Sequence, residues 1–509
     1  MHKKLFSSVS KEKRRRNGEV KTKVLTTLKE NMDAMKQIVG GNSDVVLRHI
    51  LIGHEVKGIL VFISSLVDKQ SIEENVVKPL LYFAHSEEQK KSDRDIEHML
   101  REVITYSDVS VKYSLEEAIE ELLAGKALLF IDEVDRIVVF ETTQFEQRSI
   151  EEPGSEVVIR GPRDGFTETL QTNVALIRHR LRDPSLKVQF NKIGRRSKVD
   201  YALIYIENIA CPQLVEEVKY RLACIDIDIT LDTGILEQYI EDKVLTPFPQ
   251  MMRTERPDKV VAALAEGKVA ILLDGTPFVL LAPIIFHELL KSLEDNYDRW
   301  MISSMIRFLR YLASFIALFL PAIYIAMVSY HQGMIPTIFA LSIAGTREGV
   351  PFPAFIEAFL MEMTLELLRE AGVRMPRAIG QTIGIVGGLV IGDAAVRAGI
   401  VSPVMVIVVA LTALSSFAIP AYNGSIAFRI LRFSVMIVAA ILGLFGIVMF
   451  FIFITIHLVG LRSFHRYYTY PFAPYHFSNW LDLVIRAPLT LLKKRQPEDQ
   501  VSDVKKKDM

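Results

Sequence analysis

Two regimes of hydrophobic patterning divide the chain. Between Val24 and Ile285 apolar runs of strand length alternate with amphipathic helical patterns, the signature of an α/β fold. Two segments recur there. Lys57 to Leu66, KGILVFISSL, precedes the helical QSIEENVVKPL, and Asp200 to Ile209, DYALIYIENI, precedes QLVEEVKYRL. Likewise LEEAIEELLAGKALLFIDEVDRIVVFE, from Leu115, matches PDKVVAALAEGKVAILLDGTPFVLLAP, from Pro257, setting Gly125 against Gly267 and Asp132 against Asp274. The pattern predicts two duplicated α/β subdomains, 25–160 and 161–290, each ending in helix, Gly-Lys turn, strand, turn, strand.

Beyond Tyr311 the runs lengthen, and 291–461 is predicted to be an α-helical polytopic transmembrane domain. Tyr311 to Val328, with Pro321 inside it, is one expected span; Val401 to Pro420 is another, and Phe433 to Val459 reads as a single long one. Met334 to Ala344 is too short to cross alone and reads as a re-entrant or broken segment. Pro353 to Gly372 reads as a helix with Glu362, Glu366 and Glu370 four apart on one face and Glu357 on another. Gly380, Gly384, Gly388 and Gly392 follow at the same step, a ridge along which another helix backbone can approach. Arg299, Arg307 and Arg310 precede the first span, and Arg462, Arg466, Arg486, Lys493, Lys494 and Arg495 follow the last. Both ends are therefore expected on the cytoplasmic side, with an even number of crossings, four or six.

Charge and composition remove several function classes. Across 509 residues the formal net charge is zero, so no basic field points to nucleic acid. Cys211 and Cys224 are the whole cysteine complement, which suggests no disulfide framework. The basic segment 1–24 has no apolar run behind it and reads as a tail rather than a secretory signal; 462–509 reads as a cytosolic C-terminal tail. ALLFIDEVD at Ala127 resembles the magnesium-binding strand of P-loop ATPases. The phosphate-cradling G-x-x-x-x-G-K-[ST] loop is missing, and the second copy has Asp274-Gly275. Asp132 and Asp274 are therefore read as turn residues. Arg178, Arg180 and Arg182 are read as a solvated or subunit-facing surface. His49, His54 and His287 lack metal-ligand spacing. No enzyme, catalytic residue, metal or cofactor is expected.

Candidate chemistry resides in the charged membrane stretch. A carboxylate facing hydrocarbon costs about 2.5 to 3.5 kcal/mol on the mild insertion scale, so Glu357, Glu362, Glu366 and Glu370 should face protein or water. In a symmetric oligomer such residues form rings that favour cations in a pore. The alternatives are an interfacial helix with its carboxylates in water, or buried Glu–Arg pairs that fix the bundle, Glu357 meeting Arg374 or Arg377. Asp393 and Arg397 read as a helix-end ion pair.

Several stretches together resemble the A subunit of the GerA-type spore germination receptors: GPRDGFTETLQTNVALIRHRLR, PFPQ with TERPD, LLDGTPFVLLAP, REGVPFPAFIEAFLMEMTLELLREAGVRMP, IGQTIGIVGGLVIGDAAVRAGIVSP and SSFAIPAYNGSIAFRILRF. The resemblance covers nearly the whole chain, and a paralogous stage V sporulation membrane protein shares this architecture. It implies a subunit of the spore inner membrane, working with a transporter-like B subunit that binds the nutrient and a lipoprotein C subunit. It further implies self-association into a ring, a channel whose opening releases monovalent cations. The other function classes are a secondary transporter, for which the membrane half shows no inverted repeat, and a scaffold that anchors the partner subunits.

Overall fold

The structure is a computed structural model that describes residues 23–52, 56–82, 104, 108–143, 160–374, 391–475 and 482–488, with isolated positions at 153, 154, 156, 158 and 490. In its first part α1 (Leu28–Val39) precedes the hairpin β1 (Val45–Ile52) and β2 (Val56–Ile63). A helical stretch, α2, covers 69–82, and β3 (Val109–Lys112), α3 (Leu115–Leu123), β4 (Ala127–Ile131) and β5 (Ile137–Phe140) follow. The strands form one antiparallel sheet in the order β1-β2-β4-β5-β3. α1 and α3 cover one face, through Met35, Leu122 and Phe130, and α2 covers the other, through Val76, Leu80 and Phe140. Covering both faces explains why β4 reads as an unbroken apolar run with every side chain buried.

The second part repeats this plan. α4 (Leu170–Arg180), β6 (Leu186–Ile193), β7 (Val199–Ile206), α5 (Pro212–Ala223), α6 (Thr233–Ile240), β8 (Met252–Thr254), α7 (Pro257–Ala265), β9 (Val269–Leu273) and β10 (Val279–Ala282) give the sheet order β6-β7-β9-β10-β8. Small hydrogen-bonded devices repeat too. The Asp132 carboxylate accepts from the Leu28 N–H at 3.3 Å, and Asp274 accepts from Leu170 N–H at 2.9 Å, each across 104 residues. Asn31 clasps the backbone of Leu25, and Asn173 that of Thr167, each across 6 residues. The aspartates read as turn residues thus also tie the first turn of a helix, satisfying a donor that has no partner within it.

The two sheets are joined by the loop after α1. Ser43 N–H donates to Val188 O at 2.8 Å, Val188 N–H to Asn42 Oδ1 at 2.9 Å, and the Lys187 ammonium to Gly40 O at 2.6 Å. Arg178 is not the solvated side chain expected from its sequence context. It is 1% exposed and grips Asp44, 0% exposed, through Nε and Nη2, both at 2.9 Å. The long separation of the partners hid the pair from any local pattern.

The apolar half contains α8 (Trp300–Ser329), α9 (Thr337–Arg347), α10 (Ala354–Arg374), α11 (Gly392–Arg397), α12 (Pro403–Phe417) and α13 (Tyr422–Gly460). By length and composition alone α8 and α13 are long and apolar enough to cross a membrane. The stretch expected to be one span, Phe433 to Val459, is not a single rod. Gly443 takes φ 61°, ψ −143°, and the chain reverses there into arms 422–442 and 444–460. Both feet of this hairpin stand on the second α/β unit. Phe248 lies 6.2 Å from Phe428 on the first arm and 6.4 Å from His457 on the second, ring centre to ring centre. The tip meets the far end of α8, where the Tyr330 hydroxyl bonds Ala440 O and Leu444 N–H donates to His331 Nε2 at 3.3 Å. Met334 to Ala344, expected as a re-entrant or broken segment, falls largely in α9, whose Arg347 reaches α10.

Candidate functional site in the apolar half

α10 begins immediately after Pro353 and runs without proline or glycine until Gly372, so its acidic residues keep helical spacing for five turns. Each meets an arginine, and together they form a ladder along the helix. On the first rung Glu357, 0% exposed, accepts from Arg347 Nη2 at 2.9 Å and from the Ser402 N–H at 2.8 Å. Ser402 in turn caps α12 through its hydroxyl. On the second, Glu362 Oε2 accepts from Arg432 Nη1 of α13 at 2.7 Å, both side chains buried.

Glu366 forms the third rung, between Arg369 at 2.9 Å and Arg429. Arg369 also donates to Ser416 Oγ at 3.2 Å and lies 5.0 Å from the centre of the Phe417 ring, which stabilises its charge by a cation–π contact. The fourth rung, Glu370 with Arg374 at 2.7 Å, is exposed. Glu357, Glu362 and Glu366 therefore face four guanidiniums, of Arg347, Arg369, Arg429 and Arg432, and positive charge is in slight excess. Glu362 Oε1 and the Nε atoms of Arg347, Arg429 and Arg432 are buried with no hydrogen-bond partner among the described residues. A buried ion pair whose remaining polar atoms lack partners gives little net stabilisation over apolar packing of similar volume.

Glu357 reaches Arg347, not Arg374, which pairs with Glu370; Arg377 lies outside the described residues. So do Gly380, Gly384 and Gly388 of the glycine ridge. Gly392 opens α11, and a side chain added there would lie 3.7 Å from Val406. Asp393 and Arg397 form the expected helix pair at 2.9 Å. The arginine partners were the part that sequence reasoning missed. Arg429 and Arg432 are three apart on α13, a spacing that puts both on one helix face and was readable.

Below the ladder, charge and aromatic contacts join the apolar half to the α/β units. Asp295 accepts from Arg307 at 3.3 Å and Arg310 at 2.7 Å. Asp482 accepts from Lys291 at 2.9 Å and Arg307 at 3.0 Å. Burial pushes the Asp482 carboxyl up, but Lys291 and Arg307 outweigh it and hold the group below its usual range. Phe248 sits at the centre of a ring cluster with Phe286, Phe428, His457 and Tyr468.

The profile of the Bacillus/Clostridium GerA spore germination protein family matches residues 33–498. The chain belongs to the GerA family. Spore germination protein GerLA of Bacillus cereus is 44% identical over 475 residues, covering 93% of this chain and 96% of that protein. Spore germination protein KA of Bacillus subtilis (strain 168) is 45% identical over 471 residues, 92% of this chain and 86% of that protein. Spore germination protein B1 of the same strain is 42% identical over 479 residues, covering 93% and 98%. Among solved structures, the N-terminal domain of the A subunit of the Bacillus megaterium spore germinant receptor GerK3 shares 34% identity. That match covers 52% of this GerA-family chain and 97% of the solved one, with a TM-score of 0.41. The sequence-level resemblance to GerA-type receptors thus extends over most of the chain.

Proposed function

We propose that this chain is the A subunit of a nutrient-responsive germinant receptor in the spore inner membrane, and that copies of it assemble in a ring around a pathway for monovalent cations. The observation that carries the reading is the ladder: an acidic helix and its arginine partners share an otherwise apolar bundle, matched rung by rung. Charge of that density persists in hydrocarbon only against protein or water. In this reading the enclosed Glu357 and Glu362 pin α10 to α9, α12 and α13. Glu366 and Glu370, which keep accessible oxygens, line the pathway. While the guanidiniums are in place they cancel the carboxylate field, and a ring of such subunits holds no cation. Shifting α13 away from α10 uncovers the carboxylates and opens a cation-selective path.

The same reading puts both α/β units and both ends of the helical half on the cytoplasmic side. α8 leads away from them, α10 and α12 lead back, and the α13 hairpin goes out and returns. With both ends on one side, the number of crossings in this reading is even. The matching sheet orders and repeated Asp and Asn devices support an internal duplication, with units 25–160 and 161–290. A transporter-like B subunit that binds the nutrient and a lipoprotein C subunit complete the receptor. Helix contacts between copies would include the glycine ridge.

The experiment is potassium release from spores that carry Glu366→Gln or Glu370→Gln, with protein level and complex assembly followed in parallel. Altered release rate or ion selectivity is expected. Release and selectivity unchanged in both variants, at normal protein level, would remove these carboxylates from the pathway.

A further inference from the structure

The loop between α6 and β8 holds two apolar side chains out in solvent. Val244 is 72% exposed and Leu245 is 94% exposed. The loop is firmly built nonetheless. Gln250, itself fully buried, accepts from the N–H groups of Asp242 at 2.9 Å and Lys243 at 3.0 Å, and donates to Lys243 O at 2.6 Å. Asp242 is tied to Arg221 at 2.7 Å and accepts from the Phe464 N–H at 2.6 Å. Thr246 Oγ1 is hydrogen-bonded to His457 Nε2 at 2.8 Å, which fixes the tip against the last turn of α13.

Between the tip and the helix lies an open groove of about 500 Å³, lined by Lys243, Val244, Leu245 and His457. The outward face of the returning arm continues the apolar surface: Phe453 is 64%, Ile456 66% and Val459 42% exposed. Each square ångström of apolar surface kept in water costs about 25 cal/mol. A loop held rigid with two such side chains outward, flush with the exposed stripe of an apolar helix, has the form of a surface made for an apolar phase.

We infer that this tip is a lipid contact: Val244 and Leu245 enter the acyl boundary of the leaflet next to the α/β units, and the groove beside Lys243 seats an anionic phospholipid headgroup. The inference rests on the membrane reading of α13. Lipid is favoured over a second copy of the chain because the tip extends the outward stripe of the returning arm and because the charge in its lining is that of Lys243. Lysine at this level attracts anionic headgroups, while the flanking apolar pair reaches about 5–10 Å into the interface. The second α/β unit would then lie against the bilayer where α13 emerges from it.

The test places an indole at the tip of the full-length chain with Leu245→Trp, reconstituted in vesicles of phosphatidylethanolamine and phosphatidylglycerol. The vesicles carry phospholipid brominated either near the headgroup end or near the methyl end of its acyl chain. Emission of the unsubstituted chain, which has its own Trp300 and Trp480, is subtracted. Phe453→Trp, on the arm itself, reports the membrane reading separately. The expected result is that the tip indole is quenched more by the shallow label than by the deep one. Adding Lys243→Gln should weaken its preference for anionic lipid about five-fold. An unquenched tip with a quenched Phe453→Trp overturns the lipid contact and leaves the membrane reading standing; a blue-shifted, unquenched tip would mean that another copy covers it. If neither indole is quenched, both readings fail. Leu245 is so exposed that its replacement leaves packing intact.

Discussion

Removing one member of the Glu362–Arg432 pair should be far more harmful than removing both. The side chains meet at 2.7 Å with 3% and 2% exposure, so bulk water does not reach either charge. Breaking a buried pair by deleting one partner costs about 3–5 kcal/mol, because the other charge stays buried alone. Glu362→Leu should be the worse single change, since the stranded guanidinium cannot lose its proton, whereas the carboxylate left by Arg432→Leu can gain one. The double variant, with leucines on both sides, should lie within about 1 kcal/mol of the parent. For a unit of this size each kcal/mol moves the thermal midpoint by about 2–4 °C, so the single variants should lose roughly 10 °C. Thermal unfolding of the detergent-solubilised full chain reads this directly. A double variant that falls as far as the sum of the singles would refute the coupling; so would singles indistinguishable from the parent.

Three other outcomes are expected. Arg178→Ala should destabilise the α/β units by about 3–5 kcal/mol by stranding the buried Asp44, and Arg178→Lys should rescue little because one ammonium cannot replace a two-nitrogen grip; chemical denaturation measures both. Glu241, outside the helical half, has its carboxyl pushed up to about 7 by burial, then by neighbouring Glu237, against the pull of Arg253. The folded state therefore binds that proton more tightly than the unfolded one, and stability falls as pH rises from about 4.5 through 7. Glu241→Gln should thus raise the unfolding free energy at pH 8 by about 1 kcal/mol after allowance for solvent screening, and leave it unchanged at pH 4, as read by chemical denaturation at the two pH values. Gly443→Ala should cost about 1–3 kcal/mol, because its φ of 61° with ψ of −143° belongs to glycine; a lower melting temperature of the full chain in detergent checks it.

How much of this was legible in the sequence varied with the range of the interaction. The strands, the Gly-Lys turns and the acidic stripe of α10 follow from local periodicity, and local periodicity is what a sequence displays. Its local partners, Arg369 and Arg374, sit at helical spacing, but Arg347, Arg429 and Arg432 lie 10, 63 and 70 residues from the carboxylates they meet, and no periodic signal links such positions. The same holds for Arg178, whose carboxylate lies 134 residues back. The reversal at Gly443 was hidden for another reason. Its neighbours, Leu442 and Leu444, are as apolar as the arms, so the polar residues that ordinarily mark a turn are missing. Gly446 was the available clue: a β-carbon there would come within 2.7 Å of Leu442 across the bend.

On the membrane reading proposed above, that hairpin also bears on how the chain enters a bilayer. From Phe433 to Gly460 the sequence contains no aspartate, glutamate, lysine or arginine, and the bend itself carries only apolar side chains. The two arms can be delivered together from the side where the ribosome works. No charged segment has to be translocated, since the part that travels furthest is the part that hydrocarbon accepts most readily. The arginines at 429 and 432 lie on the first arm just before this stretch and can find the carboxylates of α10 only after it has entered. Closure of the second and third rungs would therefore be the last step of assembly, and a fault in either would leave a chain that is inserted without its last helix pinned to α10.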